Sequence, residues 1–208
     1  LNLELLIMSD YRFKKVAALG AGVMGAQIAA HLANAGVPVI LFDLPAEAAD
    51  KNAVVDKALV NLGKLSPAPL ASKSLVQNIE AANYDEHLER LKGCDLIIEA
   101  IAERIDWKKS LYAKILPYVS SRAVLASNTS GLSINALSEV LDESLHHRFC
   151  GVHFFNPPRY MHLVELIPCA KTDADVLSAL EAFLVSTLGK GVVTAKDTPN
   201  FIANRIGV

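Results

Sequence analysis

Three glycines near the start of the chain limit its possible folds more than any other feature. Residues 16–25 read Val-Ala-Ala-Leu-Gly-Ala-Gly-Val-Met-Gly, so Gly20, Gly22 and Gly25 follow a short apolar run in the spacing G-x-G-x-x-G. This pattern predicts a buried strand that turns sharply into a helix. The first glycine would permit the turn, the second would let a pyrophosphate approach the backbone, and the third would let helix and strand pack closely.

An acidic residue at a suitable distance supports dinucleotide binding. The helix that follows the turn would present the backbone N–H groups of Val23 and Met24 to a phosphate. The next apolar run ends at Asp43, which lies 23 residues after Gly20, and about 20 residues separate the first glycine from the acid that meets the ribose hydroxyls in such folds. The carboxylate would repel the extra phosphate of NADP, so the sequence favours NAD. The alternative role of Asp43 is that of a helix cap or a turn residue.

From Phe13 onwards, apolar runs alternate with helical stretches, which is typical of βαβ units that build a parallel sheet. Strands are predicted at 16–19, 39–42, 94–102, 123–126, within 150–156, at 163–168 and at 191–195. Helices are predicted at 24–35, 46–63, 85–91, 106–119, from about 133, at 174–188, and from Pro199 onwards. The segment from 66 to about 84 has no regular pattern and predicts an excursion from the sheet. We therefore expect an α/β fold with a Rossmann-type, doubly wound, mostly parallel sheet and a helical excursion after the second strand.

Composition excludes several classes of protein. With 208 residues, of which 52% are hydrophobic and 20% charged, the chain can bury a substantial core. A net charge of -2 and the absence of long runs of like charge argue against nucleic-acid binding. No apolar stretch approaches the roughly 18 residues of a membrane-spanning helix. The cysteines are Cys94, Cys150 and Cys169; their odd number and wide spacing favour reduced thiols in a cytoplasmic protein over disulfides or a metal site.

Polar residues follow two of the predicted strands. Glu99 and Glu103 lie near the carboxyl end of the strand at 94–102, which is the edge where ligands bind in parallel sheets. Ser127-Asn128-Thr129-Ser130 follows the next strand. These small polar residues could present hydroxyl groups to a ligand or cap the helix that begins near Ser133, and the pattern leaves both roles open.

A histidine and a glutamate stand in the last third of the chain. His153 ends a strand just before Phe-Phe-Asn-Pro-Pro, and Glu165 lies within the apolar run Leu163–Pro168. An acid flanked by Leu, Val, Leu and Ile is costly to bury alone, so it needs a partner, for which His153 is the natural candidate. The carboxylate would hold one imidazole tautomer, which leaves the other ring nitrogen to take a proton from an alcohol. The alternative is a histidine satisfied in the core and a glutamate that faces water.

Taken together and in this order, these motifs resemble the 3-hydroxyacyl-CoA dehydrogenase family, especially the long bacterial β-oxidation proteins that also carry an enoyl-CoA hydratase module. The resemblance extends from Phe13 to Val208. It rests on the segments 20–25, 99–103, 127–130, 153–157, 163–165 and 196–205.

The resemblance implies an activity and the residues that carry it. His153 matches the catalytic base and Glu165 the acid paired with it. Ser130 matches the serine that contacts the substrate 3-oxygen and the nicotinamide region, and Asn204 matches the asparagine that orients the reacting carbonyl. The implied reaction is NAD-dependent oxidation of a (S)-3-hydroxyacyl-CoA to the 3-ketoacyl-CoA in fatty-acid β-oxidation, with an acyl-CoA thioester as the substrate.

It also implies cofactor contacts and a domain plan. Glu103 and Lys108 match positions near the nicotinamide ribose. Residues 1–12 are expected to be a disordered lead or remnant, 13–196 an NAD-binding Rossmann-type domain, and 197–208 the start of a helical C-terminal domain whose remainder is missing and through which the family dimerises. Two alternatives stay open: an NAD-dependent dehydrogenase of a small hydroxy acid or sugar acid on the same fold, and a non-catalytic NAD-binding module.

Overall fold

The computed structural model describes residues 11–206, and an eight-stranded sheet runs through the centre of this part of the chain. The strands are β1 (Val16–Leu19), β2 (Val39–Asp43), β3 (Ile79–Asn83), β4 (Leu96–Glu99), β5 (Val124–Ser127), β6 (Phe149–Phe154), β7 (Leu163–Pro168) and β8 (Gly191–Thr194). They are arranged in the order β3-β2-β1-β4-β5-β6-β7-β8. The first six are parallel in the order 3-2-1-4-5-6 of dinucleotide-binding sheets, whereas β7 is antiparallel to β6 and β8 is parallel to β7. The expected Rossmann-type, mostly parallel sheet is confirmed.

Helices cover both faces of the sheet. They are α1 (Val23–Asn34), α2 (Ala53–Leu62), α3 (Ile105–Ile115), α4 (Ile134–Glu139), α5 (Glu143–His146), α6 (Ala174–Ser186) and α7 (Ala203–Ile206). Successive residues of β1 show how the layers form: Val16 and Ala18 pack into a core with α1, α2 and α6, while Ala17 and Leu19 pack into a second core with α3 and α4. Because strand side chains alternate between faces, a strand covered on both sides must be apolar throughout, and all four residues of β1 are fully buried.

The predicted helix at 46–63 is correct only in its second half, since α2 begins at Ala53. The Asp50 carboxylate accepts a hydrogen bond from the N–H of Asn52 at 3.0 Å. This local turn offers the backbone an alternative to the helix, so residues 46–52 remain irregular.

The segment from 66 to 84 was predicted to leave the sheet, but its end returns as the edge strand β3, in register with β2. Ile79-Glu-Ala-Ala-Asn83 has a single β-branched residue, so it lacks the composition that predicts a strand. The predicted helix at 85–91 is also wrong. The Asn83 side chain accepts bonds from the N–H groups of Asp85 and Glu86, and a short 3-10 helix follows at Leu88–Gly93.

The last predicted helix begins later than expected. Pro199 was placed in its first turn, whereas α7 begins at Ala203, because Asn200 and Phe201 adopt φ values of 64° and 51° in the left-handed region. Two consecutive residues in this conformation cannot continue a right-handed helix.

Some expectations concern residues 1–10, which lie outside the described part, so the disordered lead is not tested over that range. Within residues 11–206, no helix is long and apolar enough to cross a membrane. Cys94, Cys150 and Cys169 are buried and form no disulfide. The described residues contain no cluster of His, Cys, Asp and Glu that could hold a metal ion.

Candidate active site

The glycine-rich turn between β1 and α1 forms one end of the candidate site. Gly20 has a φ of +100°, and a Cβ on Gly25 would lie 1.8 Å from the carbonyl oxygen of Gly20. These two positions therefore need glycine for conformation and for close packing. No atom lies within 4 Å of the position that a Cβ on Gly22 would take, and Gly22 is exposed at the start of α1 beside Val23. The turn thus leaves an open space in front of the helix N-terminus.

Asp43, the last residue of β2, lies beside this turn. Its Oδ2 accepts a hydrogen bond from the N–H of Ala21 at 2.6 Å, and its Oδ1 accepts one from the N–H of Leu44. It caps no helix in the described part of the chain, but its bond from the N–H of Leu44, the next residue, fits the other alternative, that of a turn residue. A carboxylate has about four acceptor positions, so each oxygen keeps capacity for a ribose hydroxyl.

The turn and the acid fit a dinucleotide. In the first turn of α1, the N–H groups of Val23, Met24 and Gly25 have no intrahelical partner, since the first such bond runs from Ala26 to Gly22. Phosphate oxygens would meet donors and the positive end of the helix there, while Asp43 would hold the ribose.

His153 and Glu165 form a buried pair at the other end of the site. They are register partners on the antiparallel strands β6 and β7, and Nδ1 of His153 lies 2.8 Å from Oε2 of Glu165. The exposed fraction of the side chain is 6% for His153 and 0% for Glu165. Oε1 of Glu165 accepts two further bonds, from the N–H groups of Ile202 and Ala203. This contradicts the alternative of a glutamate that faces water.

The tautomer of His153 follows from this network. Because an ionised carboxylate only accepts hydrogen bonds, Nδ1 is the nitrogen that donates to Oε2, and in the neutral imidazole it is then Nε2 that carries the lone pair. Two aromatic rings flank the imidazole, with centroids 4.4 Å away for Phe155 and 5.8 Å away for Phe201. The histidine is therefore held in one orientation, which suits a general base.

Ser130 and Glu103 meet between these two ends. Oε1 of Glu103 accepts bonds from the N–H and Oγ of Ser130, and Oε2 accepts one from Oγ1 of Thr129. Partial burial acts to raise the pKa of Glu103, but the bonds from Ser130 and Thr129 and the nearby Lys108 charge outweigh it, so the pKa lies below the usual carboxyl value. Thr129 and Ser130 thus contact Glu103, and the cap of α4 is the hydroxyl of Ser133.

Lys108 and Glu99 form a buried ion pair next to Glu103. Lys108, on α3, is 1% exposed, and its Nζ lies 2.5 Å from Oε1 of Glu99 and 3.9 Å from Oε2 of Glu103. Glu99 is fully buried and also accepts bonds from the hydroxyl groups of Tyr112 and Ser127, each at 2.8 Å. The sequence placed Glu99 at the ligand-binding edge, and it is the last residue of β4, but its side chain is buried. The resemblance placed Lys108 near the nicotinamide ribose, which stays a prediction.

Asn204 is half-buried in α7, directly after Ala203, whose N–H binds Glu165. It therefore lies on the segment that supports the His153–Glu165 pair. The structure brings together His153, Glu165 and this segment, and it separately brings together Ser130 with Glu103.

Further contacts between distant residues were not expected from the sequence, and two of them lie near the site. Oδ1 of Asn128 accepts a bond from the N–H of Phe154 at 2.9 Å, which ties the end of β5 to that of β6. Nε2 of Gln27, on α1, donates to Oδ1 of Asn156 at 3.1 Å, across 129 residues of sequence. A glutamine on a buried helix face was the only sequence signal for the second contact.

Comparisons with known proteins agree with this geometry. Residues 15–198 match the family model described as 3-hydroxyacyl-CoA dehydrogenase, NAD binding domain. A Deinococcus radiodurans protein provisionally named a 3-hydroxyacyl-CoA dehydrogenase is 45% identical over 199 residues, which cover 95% of this chain and 57% of that protein. A Rickettsia felis protein provisionally named a fatty acid oxidation complex trifunctional enzyme is 45% identical over 195 residues, which cover 93% of this chain and 27% of that protein.

Solved structures show the same likeness. The (S)-3-hydroxybutyryl-CoA dehydrogenase of Ralstonia eutropha is 36% identical with a TM-score of 0.75, over 94% of this chain and 68% of that chain. The 3-hydroxybutyryl-CoA dehydrogenase of Escherichia coli is 31% identical with a TM-score of 0.78, over 94% of this chain and 41% of that chain. Because the family model covers most of the sequence, the chain belongs to the family of NAD-binding domains of 3-hydroxyacyl-CoA dehydrogenases.

Proposed function

We propose that the protein containing this chain oxidises (S)-3-hydroxyacyl-CoA thioesters to 3-ketoacyl-CoA in fatty-acid β-oxidation, with residues 13–196 as its NAD-binding domain and a helical domain that starts at 197. The single observation that carries the proposal is the buried His153–Glu165 pair with Nδ1 and Oε2 at 2.8 Å. A module that only bound NAD would have no use for it.

His153 would be the base of the reaction. Its Nε2 takes the proton of the substrate 3-hydroxyl group, and Glu165 stabilises the imidazolium that forms. Bound NAD would supply the acceptor for the hydride that leaves C3. In the reverse direction, the same imidazolium returns the proton to the oxygen of the ketone.

Ser130 and Asn204 would stabilise the substrate oxygen. The Ser130 hydroxyl now donates to Glu103 at 2.9 Å, so it must turn to reach a ligand. If Glu103 accepts bonds from the nicotinamide ribose, the Ser130 hydroxyl is released to donate to the 3-oxygen beside the Asn204 amide. The pyrophosphate and the second ribose of the cofactor would be held by Gly22, Val23, Met24 and Asp43.

The test is a steady-state assay of the full-length protein with acetoacetyl-CoA and NADH, on wild type and His153→Gln. We expect the substitution to lower kcat by at least about a hundredfold while the Kd of NADH changes less than twofold, because general bases contribute roughly 10²–10⁴-fold. His146→Gln is the matched control: His146 is also buried, but its Nε2 contacts the carbonyl of Leu141.

Three outcomes would contradict the proposal. Equal loss of kcat and NADH affinity in His153→Gln would indicate a structural histidine. Turnover of free 3-hydroxy acids with none of the thioester would favour the small hydroxy-acid alternative, and binding of NADH without turnover of either substrate would favour a non-catalytic module. The cytoplasmic location and the homodimer remain predictions.

A further inference from the structure

The hydrogen bonds of the Glu165 carboxylate depend on a segment that lies 37 residues further along the sequence. One of its oxygens binds His153, and the other accepts the N–H groups of Ile202 at 2.9 Å and Ala203 at 2.8 Å. A fully buried carboxylate that lost these donors would be left partly unsatisfied, so the orientation of Glu165 is coupled to residues 198–203.

This segment is an unfavourable stretch of backbone. Asn200 and Phe201 have φ values of 64° and 51°, and the left-handed region is disfavoured for a residue with a Cβ, most of all for a bulky one. Such a conformation persists only where its surroundings enforce it. The Phe201 side chain is 3% exposed and lies against the imidazole of His153, at 5.8 Å between ring centroids.

Asp197 anchors the start of this segment to α4. Its Oδ2 accepts bonds from the hydroxyl of Ser133 at 2.7 Å and from the N–H and amide of Asn135 at 2.9 and 2.7 Å. Its Oδ1 accepts the N–H of Ile134 at 2.9 Å. Partial burial acts to raise the pKa of Asp197, but these bonds outweigh it and the pKa lies below the usual value, so the anchor is ionised at neutral pH.

We propose that Asp197 is a positioning residue for the His153–Glu165 pair. It fixes the segment 198–203 against α4, and the segment in turn presents two N–H groups to Glu165 and the Phe201 ring to His153. The effect on turnover rests on the proposed function, in which His153 is the base; the structural effect on the segment does not.

The variants are Asp197→Asn and Asp197→Ala in the full-length protein. The amide is the milder change: in either orientation, at least one of the four donors around the side chain loses its acceptor. The matched control is Asp142→Asn, because the Asp142 carboxylate also accepts a backbone N–H, that of Ser144 at 3.0 Å, at the start of a helix, but it takes no part in the site.

The first measurement is a comparison of kcat with the binding of NADH. We expect kcat to fall about tenfold in Asp197→Asn and further in Asp197→Ala, because small displacements of a catalytic group reduce the rate strongly. The Kd of NADH should stay within twofold of wild type, since the glycine-rich turn is not involved. Values of kcat within twofold of Asp142→Asn, or a matched loss of NADH affinity, would overturn the proposal.

The second measurement is amide hydrogen exchange of peptides that cover 198–206. We expect exchange at Ile202 and Ala203 to become at least about tenfold faster in both Asp197 variants and to stay unchanged in Asp142→Asn, with the glycine-rich turn unaffected throughout. Unchanged protection of these amides would overturn the proposal, whether or not the protein turns over acyl-CoA. If the wild type shows no turnover, the proposed function fails, and this exchange experiment still decides the role of Asp197.

Discussion

Gly22 and Gly25 give a sharp prediction, because the structure assigns opposite consequences to the same substitution three residues apart. In Gly25→Ala, the new Cβ would lie 1.8 Å from the carbonyl oxygen of Gly20, whereas real Cβ contacts essentially never come below 3.0 Å. The oxygen belongs to the backbone, and the backbone alone fixes the position of a Cβ, so no side-chain rotation can relieve the clash; α1 and β1 must separate by more than 1 Å. Overpacking of a core costs about 1–3 kcal/mol, and a clash between backbones belongs at the upper end.

The same change at Gly22 meets open space. Gly22 has φ −70° and ψ −171°, which alanine adopts without strain. Alanine stabilises the fold by reducing the entropy of the unfolded chain, but it caps the helix less well than glycine. Because these two effects offset each other, the free energy of unfolding should change by less than about 1 kcal/mol. The added methyl group, however, would fill the space that the pyrophosphate needs.

Thermal unfolding and a fluorescence titration with NADH separate the two effects. For a domain of this size, a loss of about 3 kcal/mol lowers the Tm by roughly 6–12 °C, which we expect for Gly25→Ala. For Gly22→Ala we expect an unchanged Tm and an NADH affinity at least about tenfold weaker, equivalent to about 1.4 kcal/mol. Gly93→Ala serves as the control, since Gly93 also has no atom within 4 Å of a new Cβ and lies outside the site.

The reasoning would be refuted by a Gly25→Ala variant that melts within 2 °C of wild type, or by a Gly22→Ala variant that binds NADH as tightly as Gly93→Ala.

Three further predictions concern stability. Lys108→Met should lower the free energy of unfolding by about 3–5 kcal/mol, because it leaves the buried Glu99 carboxylate without its ion-pair partner. Urea denaturation should show that the double variant Glu99→Gln/Lys108→Met is less destabilised than Lys108→Met alone. Asn200→Gly should raise the Tm, since glycine adopts a φ of 64° without a steric cost, and Asn200→Val should lower it. The stability advantage of wild type over Glu103→Gln should be complete above the ordinary carboxyl pKa of 4.5 and be lost as the pH falls through the lowered pKa of folded Glu103. Urea midpoints of both proteins at pH 3 and pH 7 test this. A difference in midpoint between the two proteins that is the same at both pH values would contradict it.

Features that depend on short stretches of sequence could be predicted. The turn at Gly20 follows from three glycines and one apolar run, and β1 has the bounds expected from the pattern. The pairing of His153 with Glu165 was inferred from the cost of burying a lone carboxylate. The structure adds the geometric reason: on antiparallel neighbours, register partners point to the same face of the sheet and lie side by side.

Features that depend on distant contacts could not be predicted. The anchor formed by Asp197 joins residues about 63 positions apart, and no local pattern links them. The left-handed conformation of Phe201 is contrary to its own preference, and only tertiary contacts enforce it. By contrast, the turn at Asp50 is a local competitor of the helix, and the sequence contained the signal for it.

Glu99 and Glu103 show why residue type and position in a strand do not decide a role. Glu99 is the last residue of β4 and fully buried, whereas the Glu103 side chain is 43% exposed four residues later. Lys108 lies between them: it pairs with Glu99, and its charge helps to keep Glu103 ionised and able to hold Ser130. Since Glu99 also holds the Ser127 hydroxyl, the buried pair supports both sides of the Glu103–Ser130 contact. The contact between Glu103 and Ser130 is therefore set in place by an ion pair that is itself buried.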